Sequence, residues 1–159
     1  MGSRLETDLA YIAGFLDGDG SIMLQVKARS DTKRGLRFMA TICFYQDTRH
    51  EKPLRWIREQ LGIGYISRRN DGMTELRING YEQVREILTL LKPFIKFKAK
   101  QVQAAIVACK LLSLKFIRDM SKSELRRLVD LVFEIRSENY KSRSKFSKEE
   151  LNRYLGLTP

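Results

Sequence analysis

Two stretches of the chain alternate between apolar and polar side chains, and this alternation constrains the fold more than any other feature. From Ser21 to Arg29, and again from Leu36 to Gln46, apolar residues recur at every second position. A period of two is typical of a β-strand with one buried and one exposed face. The two stretches are therefore predicted to form a hairpin that buries one shared face.

A second hairpin is predicted further along the chain. Its strands, Ile63–Arg69 and Met73–Asn79, flank the strong turn signal Asn70-Asp71-Gly72. Helices are expected at residues 8–16, 48–61, 81–91 and 98–114, and again after Ser121 and Ser147. The predicted order is αββαββα with further helices, an α+β fold whose four-stranded sheet carries helices on one face.

The residues that flank the first helix predict where it starts and where it ends. Thr7 or Asp8 is predicted to cap its start, and the glycine-rich segment Asp17–Gly20 is predicted to end it in a turn. Taken alone, an Asp-Gly-Asp-Gly sequence is usually no more than a turn.

The chain is strongly basic, which favours a polyanionic partner. Lys and Arg number 30 against 19 Asp and Glu, giving a formal charge of +11 at pH 7. No apolar run approaches the ~18 residues of a membrane-spanning helix, so no membrane partner is expected. The uncovered sheet face is predicted to carry mainly cations and amides, which suit phosphates and base edges; a merely solvated surface is the alternative. These residues are Gln25, Lys27, Arg29, Arg37, Thr41, Arg69, Glu75 and Arg77.

Cysteine and histidine usage excludes several classes of site. Cys43 and Cys109 are far apart in apolar surroundings, which indicates reduced packing residues in an intracellular protein rather than a zinc site. His50 is the single histidine, so a multi-histidine metal centre is excluded. No small-molecule cofactor is expected.

Residues 11–21, Tyr-Ile-Ala-Gly-Phe-Leu-Asp-Gly-Asp-Gly-Ser, resemble the LAGLIDADG signature of homing endonucleases and related intron maturases. The resemblance continues through the strand that follows, Leu61–Tyr65 and Leu91–Lys98, and covers nearly the whole chain. It implies the homing-endonuclease fold, with a saddle-shaped antiparallel sheet and extra C-terminal helices. One domain is expected over residues 1–159, with residues 1–7 as a tail and 140–159 as a basic loop and short helix.

The motif occurs once, as in single-motif, homodimeric members of that family. Small side chains at Ala10, Ala13 and Gly14 would let another helix backbone approach closely. Because the family's fold packs two such helices together, one copy per chain implies a two-fold homodimer. Asp17 is expected at the same interface.

The resemblance also implies an active site. It assigns metal binding to the Asp19 carboxylate and the Gly18 carbonyl, oxygen ligands that suit Mg²⁺, with Mn²⁺ or Ca²⁺ as other occupants. It places Gln46 beside this centre to hold the nucleophilic water, and Lys98 to stabilise charge in the transition state. His50 departs from the family pattern, in which a basic residue can occupy this place, and is expected to order water or contact a phosphate.

Double-stranded DNA is the partner that the resemblance implies. Arginines at 37, 69 and 77 suit guanine, and Gln25 suits adenine. Two half-sites related by a dyad predict a pseudo-palindrome of roughly 20 bp. Further expected contacts are the outward sheet residues Met23, Arg29, Met39, Cys43, Ser67 and Glu75, the loop residues Lys33 and Arg34, and the phosphate-binding residues Lys141, Ser142 and Arg143.

The sequence thus predicts a site-specific, metal-dependent homing endonuclease that cuts both strands and leaves 3′ overhangs. Two alternatives use the same fold: an RNA-binding intron maturase and a DNA-binding regulator that does not cleave. Asp19 and the single motif argue against the maturase, and Asp19 together with Gln46 and Lys98 argues against the regulator.

Overall fold

The structure, a computed structural model, describes residues 5–32, 35–139 and 146–158. Within them the predicted order of elements is confirmed. The elements are α1 (Glu6–Asp19), β1 (Ser21–Ala28), β2 (Leu36–Asp47), α2 (Lys52–Leu61), β3 (Tyr65–Arg68), β4 (Met73–Asn79), α3 (Tyr81–Leu91), α4 (Ala99–Leu114), α5 (Lys122–Ser137) and α6 (Lys148–Tyr154). None of these helices is long and apolar enough to cross a membrane.

The four strands form one antiparallel sheet in the order β1-β2-β4-β3. The first hairpin pairs from Ser21–Cys43 to Ala28–Leu36. The long strand β2 continues past the start of β1 and pairs with β4 as far as Asp47–Met73. The α+β arrangement with two hairpins is therefore as predicted.

One face of the sheet packs against the helices. The alternate residues Ile22, Leu24 and Val26 of β1 are buried, as are Phe38 and Phe44 of β2. Helices α1 and α3 contact β2, and α4 and α5 contact β1. Burial of this continuous apolar layer is the main force that holds the sheet to the helices.

The first helix is longer than predicted at both ends. It runs from Glu6 to Asp19, so Asp17 and Asp19 lie on the helix and not in a turn. Neither Thr7 nor Asp8 caps it; Leu5 occupies the cap position without a side-chain hydrogen bond. The helix ends because the backbone at Gly20 is extended. The expectation of an early turn was wrong, since glycine lowers helix stability without preventing helical backbone.

The predicted helix at 48–61 is two elements. Thr48–His50 forms a 3₁₀ turn, and α2 begins only at Lys52. Pro53 lies in the first turn of α2, where its missing N–H breaks no helical hydrogen bond. The helix ends at Gly62, as predicted, with a left-handed backbone (φ 71°).

The helix starts predicted after Ser121 and Ser147 are both capping boxes. Ser121 accepts a hydrogen bond from the Glu124 N–H and its own N–H donates to the Glu124 carboxylate, at 3.2 and 2.8 Å. Ser147 and Glu150 make the same reciprocal pair at the start of α6. These caps fix the beginnings of α5 and α6.

Candidate active site and nucleic-acid interface

Asp17 joins the end of α1 to the segment that precedes α4. Its carboxylate accepts hydrogen bonds from the backbone N–H groups of Lys96, Phe97 and Lys98, at 2.8, 2.9 and 2.7 Å. Burial raises the pKa of this carboxyl, but the three N–H groups and the Lys98 charge together outweigh burial and hold the pKa below its usual value. Asp17 is therefore an ionised structural group that fixes Lys98 beside α1.

Two of the four predicted dimer contacts are buried within this chain. Ala13 has no exposed surface and Asp17 is 6% exposed. This side of α1 packs against the chain's own core and the start of α4, and a place for these two residues in a dimer interface stays a prediction. Gly14 is exposed and Ala10 half-buried, so contact with a second chain remains a prediction for both.

Lys98 reaches the C-terminal end of α1. Its ammonium donates to the backbone oxygen of Asp17 at 2.6 Å. Burial lowers the pKa of Lys98, while the nearby charges of Asp17 and Asp19 act in the opposite direction. The structure thus brings Lys98 and Asp19, two predicted site residues, into one electrostatic environment.

Asp19 is the last residue of α1, and its side chain is exposed. No hydrogen bond or ion pair to its carboxylate comes from the rest of the described chain. The C-terminal end of a helix is negative, which favours a cation at this position. Gly18 is also exposed, next to Asp19. A free carboxylate beside a helix end fits a hard divalent cation that prefers oxygen ligands.

The described residues of one chain supply only part of the ligands that a metal ion at the end of α1 would need. Over residues 5–32, 35–139 and 146–158 no group of three or more His, Cys, Asp or Glu side chains is placed to hold a metal. A cation at Asp19 and the Gly18 carbonyl would need further oxygen ligands from water, phosphate or a second chain. Such incomplete protein ligation is usual for Mg²⁺ at phosphate-transfer sites.

Gln46 and His50 are not joined to Asp19 by any hydrogen bond among the described residues. Gln46 is half-buried at the end of β2, where its side-chain oxygen accepts from the Asp47 N–H at 2.9 Å. His50 is exposed at the end of the 3₁₀ turn. Their predicted roles with water and phosphate remain predictions.

Gly20 allows the end of α1 to pack closely against β2. A Cβ at this position would lie 3.0 Å from the Cys43 carbonyl oxygen and 2.7 Å from Cδ1 of Leu16. We expect Gly20→Ala to lower the free energy of unfolding by about 1–3 kcal/mol through overpacking. Glu59→Ala, at an exposed position of α2 away from the site and from the exposed stripe of α1, is the control. Urea unfolding measures both, and equal stability of the two variants would contradict this packing.

Most of the predicted contacts on the uncovered sheet face are accessible. The exposed or half-exposed members are Met23, Gln25, Lys27, Arg29, Arg37, Met39, Ser67, Arg69 and Arg77. Thr41, Cys43 and Glu75 are instead 2%, 0% and 8% exposed, so their contact with a partner stays a prediction and would require neighbouring side chains to move. The alternation predicted their direction correctly, but the long side chains beside them cover them.

Ion pairs hold arginine side chains in place in the middle of this sheet face. Glu75 binds Arg69 through one oxygen at 2.9 Å and approaches Nε of Arg77 through the other at 3.2 Å. The Arg77 Nε–H makes no well-aligned hydrogen bond and is buried. Glu75 therefore holds two arginines in place, which reduces the rotamer entropy they would lose on binding a partner.

Glu51 is a structural residue that the sequence did not indicate. Its carboxylate, 7% exposed, accepts hydrogen bonds from Arg68, Arg55 and Thr74. Arg68 and Thr74 are the main reason that the pKa of Glu51 falls to about 2. This group ties the second hairpin to α2, and no spacing in the sequence links these residues.

Five predicted contacts lie outside the described residues, namely Lys33, Arg34, Lys141, Ser142 and Arg143. Their contacts with DNA remain predictions.

Two DNA endonucleases are similar to this chain in sequence. The DNA endonuclease I-CreI of Chlamydomonas reinhardtii is 32% identical over 98 residues, which cover 62% of this chain and 60% of that protein. The DNA endonuclease I-CvuI of Chlorella vulgaris is 31% identical over 97 residues, 61% of this chain and 60% of that protein. The alignment thus spans less than two thirds of either relative.

The similarity in structure extends further than the similarity in sequence. A crystal structure of I-CvuI in complex with the I-CreI target in the presence of Mg, in which the DNA is not cleaved, has a TM-score of 0.87 and 25% identity. It covers 95% of this chain and 94% of that chain. The homing-endonuclease fold that the motif predicted is therefore confirmed.

A family model for LAGLIDADG endonucleases matches residues 12–106. The match begins inside α1 and ends inside α4, so it contains the acidic helix end, both hairpins and Lys98. With more than half of its residues matched, the chain belongs to the LAGLIDADG endonuclease family.

Proposed function

We propose that the protein is a site-specific DNA endonuclease that binds a long pseudo-palindromic duplex as a homodimer and cuts one phosphodiester bond on each strand, leaving 3′ overhangs. The observation that carries this proposal is the exposed Asp19 carboxylate, which lies at the end of α1 where β1 of the basic sheet begins. The relatives I-CreI and I-CvuI are DNA endonucleases. A DNA substrate implies an intracellular site of action, and intron homing is the context that the family suggests.

The candidate site residues have different roles in phosphodiester hydrolysis. Asp19 and the Gly18 carbonyl would hold a divalent cation, for which we propose Mg²⁺. A bound divalent cation supplies Lewis acidity to phosphate and water. Lys98, fixed by its bond to the Asp17 carbonyl, places a positive charge where negative charge develops on the phosphate. Gln46 orients the attacking water.

DNA binding uses the uncovered sheet face. The arginines held by Glu75 present N–H groups to base edges in the major groove, and the exposed Lys27 and Arg37 meet the flanking part of the half-site. The net charge of +11 supplies the general attraction to phosphate.

A stripe along α1 supports pairing of two chains. Thr7, Tyr11, Gly14 and Gly18 are exposed at spacings of four, three and four, which place them on one face of the helix. A Cβ at either glycine would meet nothing within 4 Å. The stripe thus leaves room for a second helix, and two-fold pairing would bring both Asp19 carboxylates close to the dyad.

We expect Gly14→Leu to convert the dimer to a monomer. The larger side chain is accommodated within one chain but separates two facing helices. Light scattering after gel filtration measures the change, with circular dichroism as the check on folding. Arg127→Leu, at an exposed position of α5, is the control and should stay dimeric. A Gly14→Leu protein with an unchanged dimer mass would contradict pairing through α1.

Cleavage of a randomised duplex library tests the function as a whole. The protein is incubated with the library and Mg²⁺, and the cut products are sequenced at both ends. We expect enriched sites with dyad symmetry and 3′ overhangs. A library that remains uncut, or cut sites without symmetry, would overturn the proposal. Neither alternative, the RNA-binding maturase or the non-cleaving regulator, has an observation in its favour.

A further inference from the structure

The hydroxyl of Tyr45 contacts a residue just beyond the acidic end of α1. It lies 2.9 Å from Oγ of Ser21, which is the first residue of β1 and two positions after Asp19. Because Ser21 pairs with Cys43, Tyr45 lies beyond the last β1–β2 pair. The Tyr45 side chain therefore lies where the uncovered sheet face meets the candidate active site.

The strand register orders the outward side chains by their distance from Asp19. Starting at the acidic end, the outward pairs are Ser21 with Cys43, Met23 with Thr41, Gln25 with Met39, and Lys27 with Arg37. At ~3.3 Å per residue, the last pair lies about 20 Å from the first. This distance corresponds to about six base pairs of DNA. Tyr45 lies at the end of this series that is nearest to Asp19.

The Tyr45 and Ser21 hydroxyls have a donor hydrogen and acceptor lone pairs that the hydrogen bond between them does not use. Burial is the main cause that raises the pKa of Tyr45 to about 12, so the phenol is protonated at neutral pH. Together the Tyr45 and Ser21 hydroxyls have two hydrogens, and the hydrogen bond between them uses one. The second hydrogen and the free lone pairs can serve a base edge or a bridging water.

The surroundings of Tyr45 engage little of this capacity. Glu75 lies opposite Tyr45 in the sheet, and its carboxylate is engaged with Arg69 and Arg77. Besides Ser21, the Tyr45 hydroxyl interacts with the buried Cys43 thiol, which is a weak hydrogen-bonding partner. The ring is half-buried, which limits its rotation and fixes the direction of the hydroxyl.

We propose that Tyr45, held by Ser21, determines sequence specificity at the base pairs nearest the cut. The inference rests on the proposed endonuclease function and assigns to this pair the inner positions of the half-site. The outward residues further along β1 and β2 then read the outer positions.

The experiment compares wild type with Tyr45→Phe, which keeps the ring and removes the hydroxyl. Each base pair of the selected site is substituted in turn, and kcat/KM for cleavage is measured on every duplex. We expect discrimination at the pairs next to the cut to fall about five- to tenfold, the size expected for one hydrogen bond. Outer positions should change by less than about twofold.

Two further variants make the test specific. Ser21→Ala removes the same hydrogen bond from the other side and should relax the same inner positions. Tyr154→Phe is the matched control: it removes a tyrosine hydroxyl from α6, which packs on α5 and not on the sheet face, so inner discrimination should be unchanged.

The outcomes separate this inference from the function on which it rests. An unchanged profile in Tyr45→Phe, or an equal loss at every position, would overturn the role of Tyr45 while the wild type still cuts. A wild-type protein that cuts no duplex would overturn the endonuclease function, and this inference with it.

Discussion

Asp19→Asn is expected to lower the rate of DNA cleavage by about 10³-fold or more while DNA affinity stays within about threefold. The amide is close in size to the carboxylate but lacks the charge that a divalent cation requires. Affinity is preserved because Asp19 lies at the end of α1 and not on the basic sheet face. Single-turnover cleavage and equilibrium binding to the same duplex measure the two effects separately.

Asp130→Asn is the control for this change. Asp130 is an exposed aspartate on α5 that pairs with Lys148 at 2.9 Å, far along the chain from the site. It should leave both cleavage and binding unchanged. An Asp19→Asn protein that cuts at more than about a tenth of the wild-type rate would show that the acidic end of α1 is not the metal site.

Asp17→Asn is expected to have the largest effect on stability. The amide would turn an N–H₂ group toward backbone donors that now bind the carboxylate, leaving N–H groups at residues 96–98 without acceptors. We expect the free energy of unfolding to fall by about 2–5 kcal/mol. Asp31→Asn is the matched control, because Asp31 pairs with Arg29 at the exposed surface. It should cost less than about 1 kcal/mol.

The contribution of Asp17 to the free energy of unfolding is also expected to depend on pH. Folding lowers the pKa of Asp17 below its ordinary value of 3.8. Its contribution is therefore complete above that value and is lost as the pH falls through the lower, folded pKa. The difference in unfolding free energy between wild type and Asp17→Asn should be constant near neutral pH and shrink below about pH 4. A difference that persists unchanged at about pH 2.5 would contradict an ionised Asp17.

Much of this fold follows from local sequence patterns. The alternation in residues 21–29 and 36–46 predicted β1 and β2 because a period of two records which face of a strand is buried. The capping boxes at Ser121 and Ser147 predicted two helix starts, since their hydrogen bonds join residues three apart. Both signals lie within a few residues of the feature they specify.

The remaining features depend on contacts that are distant in the sequence. Asp17 is paired with N–H groups about 80 positions away, so nothing near it distinguishes a structural aspartate from an interface residue. Thr41 and Cys43 point outward as predicted, yet neighbouring strands supply the side chains that bury them. The motif identified Asp19 and the family resemblance predicted Lys98 beside it, but only the folded chain shows the contact by which Lys98 is held there, from its ammonium to the Asp17 carbonyl.

The number of chains on one duplex tests the account most directly. Asp19→Asn protein is mixed with a duplex selected by the wild type and examined by native mass spectrometry. Pairing through α1 predicts two chains per duplex, and Gly14→Leu in the same background should abolish that species. A stable complex of one chain with one duplex, formed equally well by both proteins, would contradict the proposed arrangement.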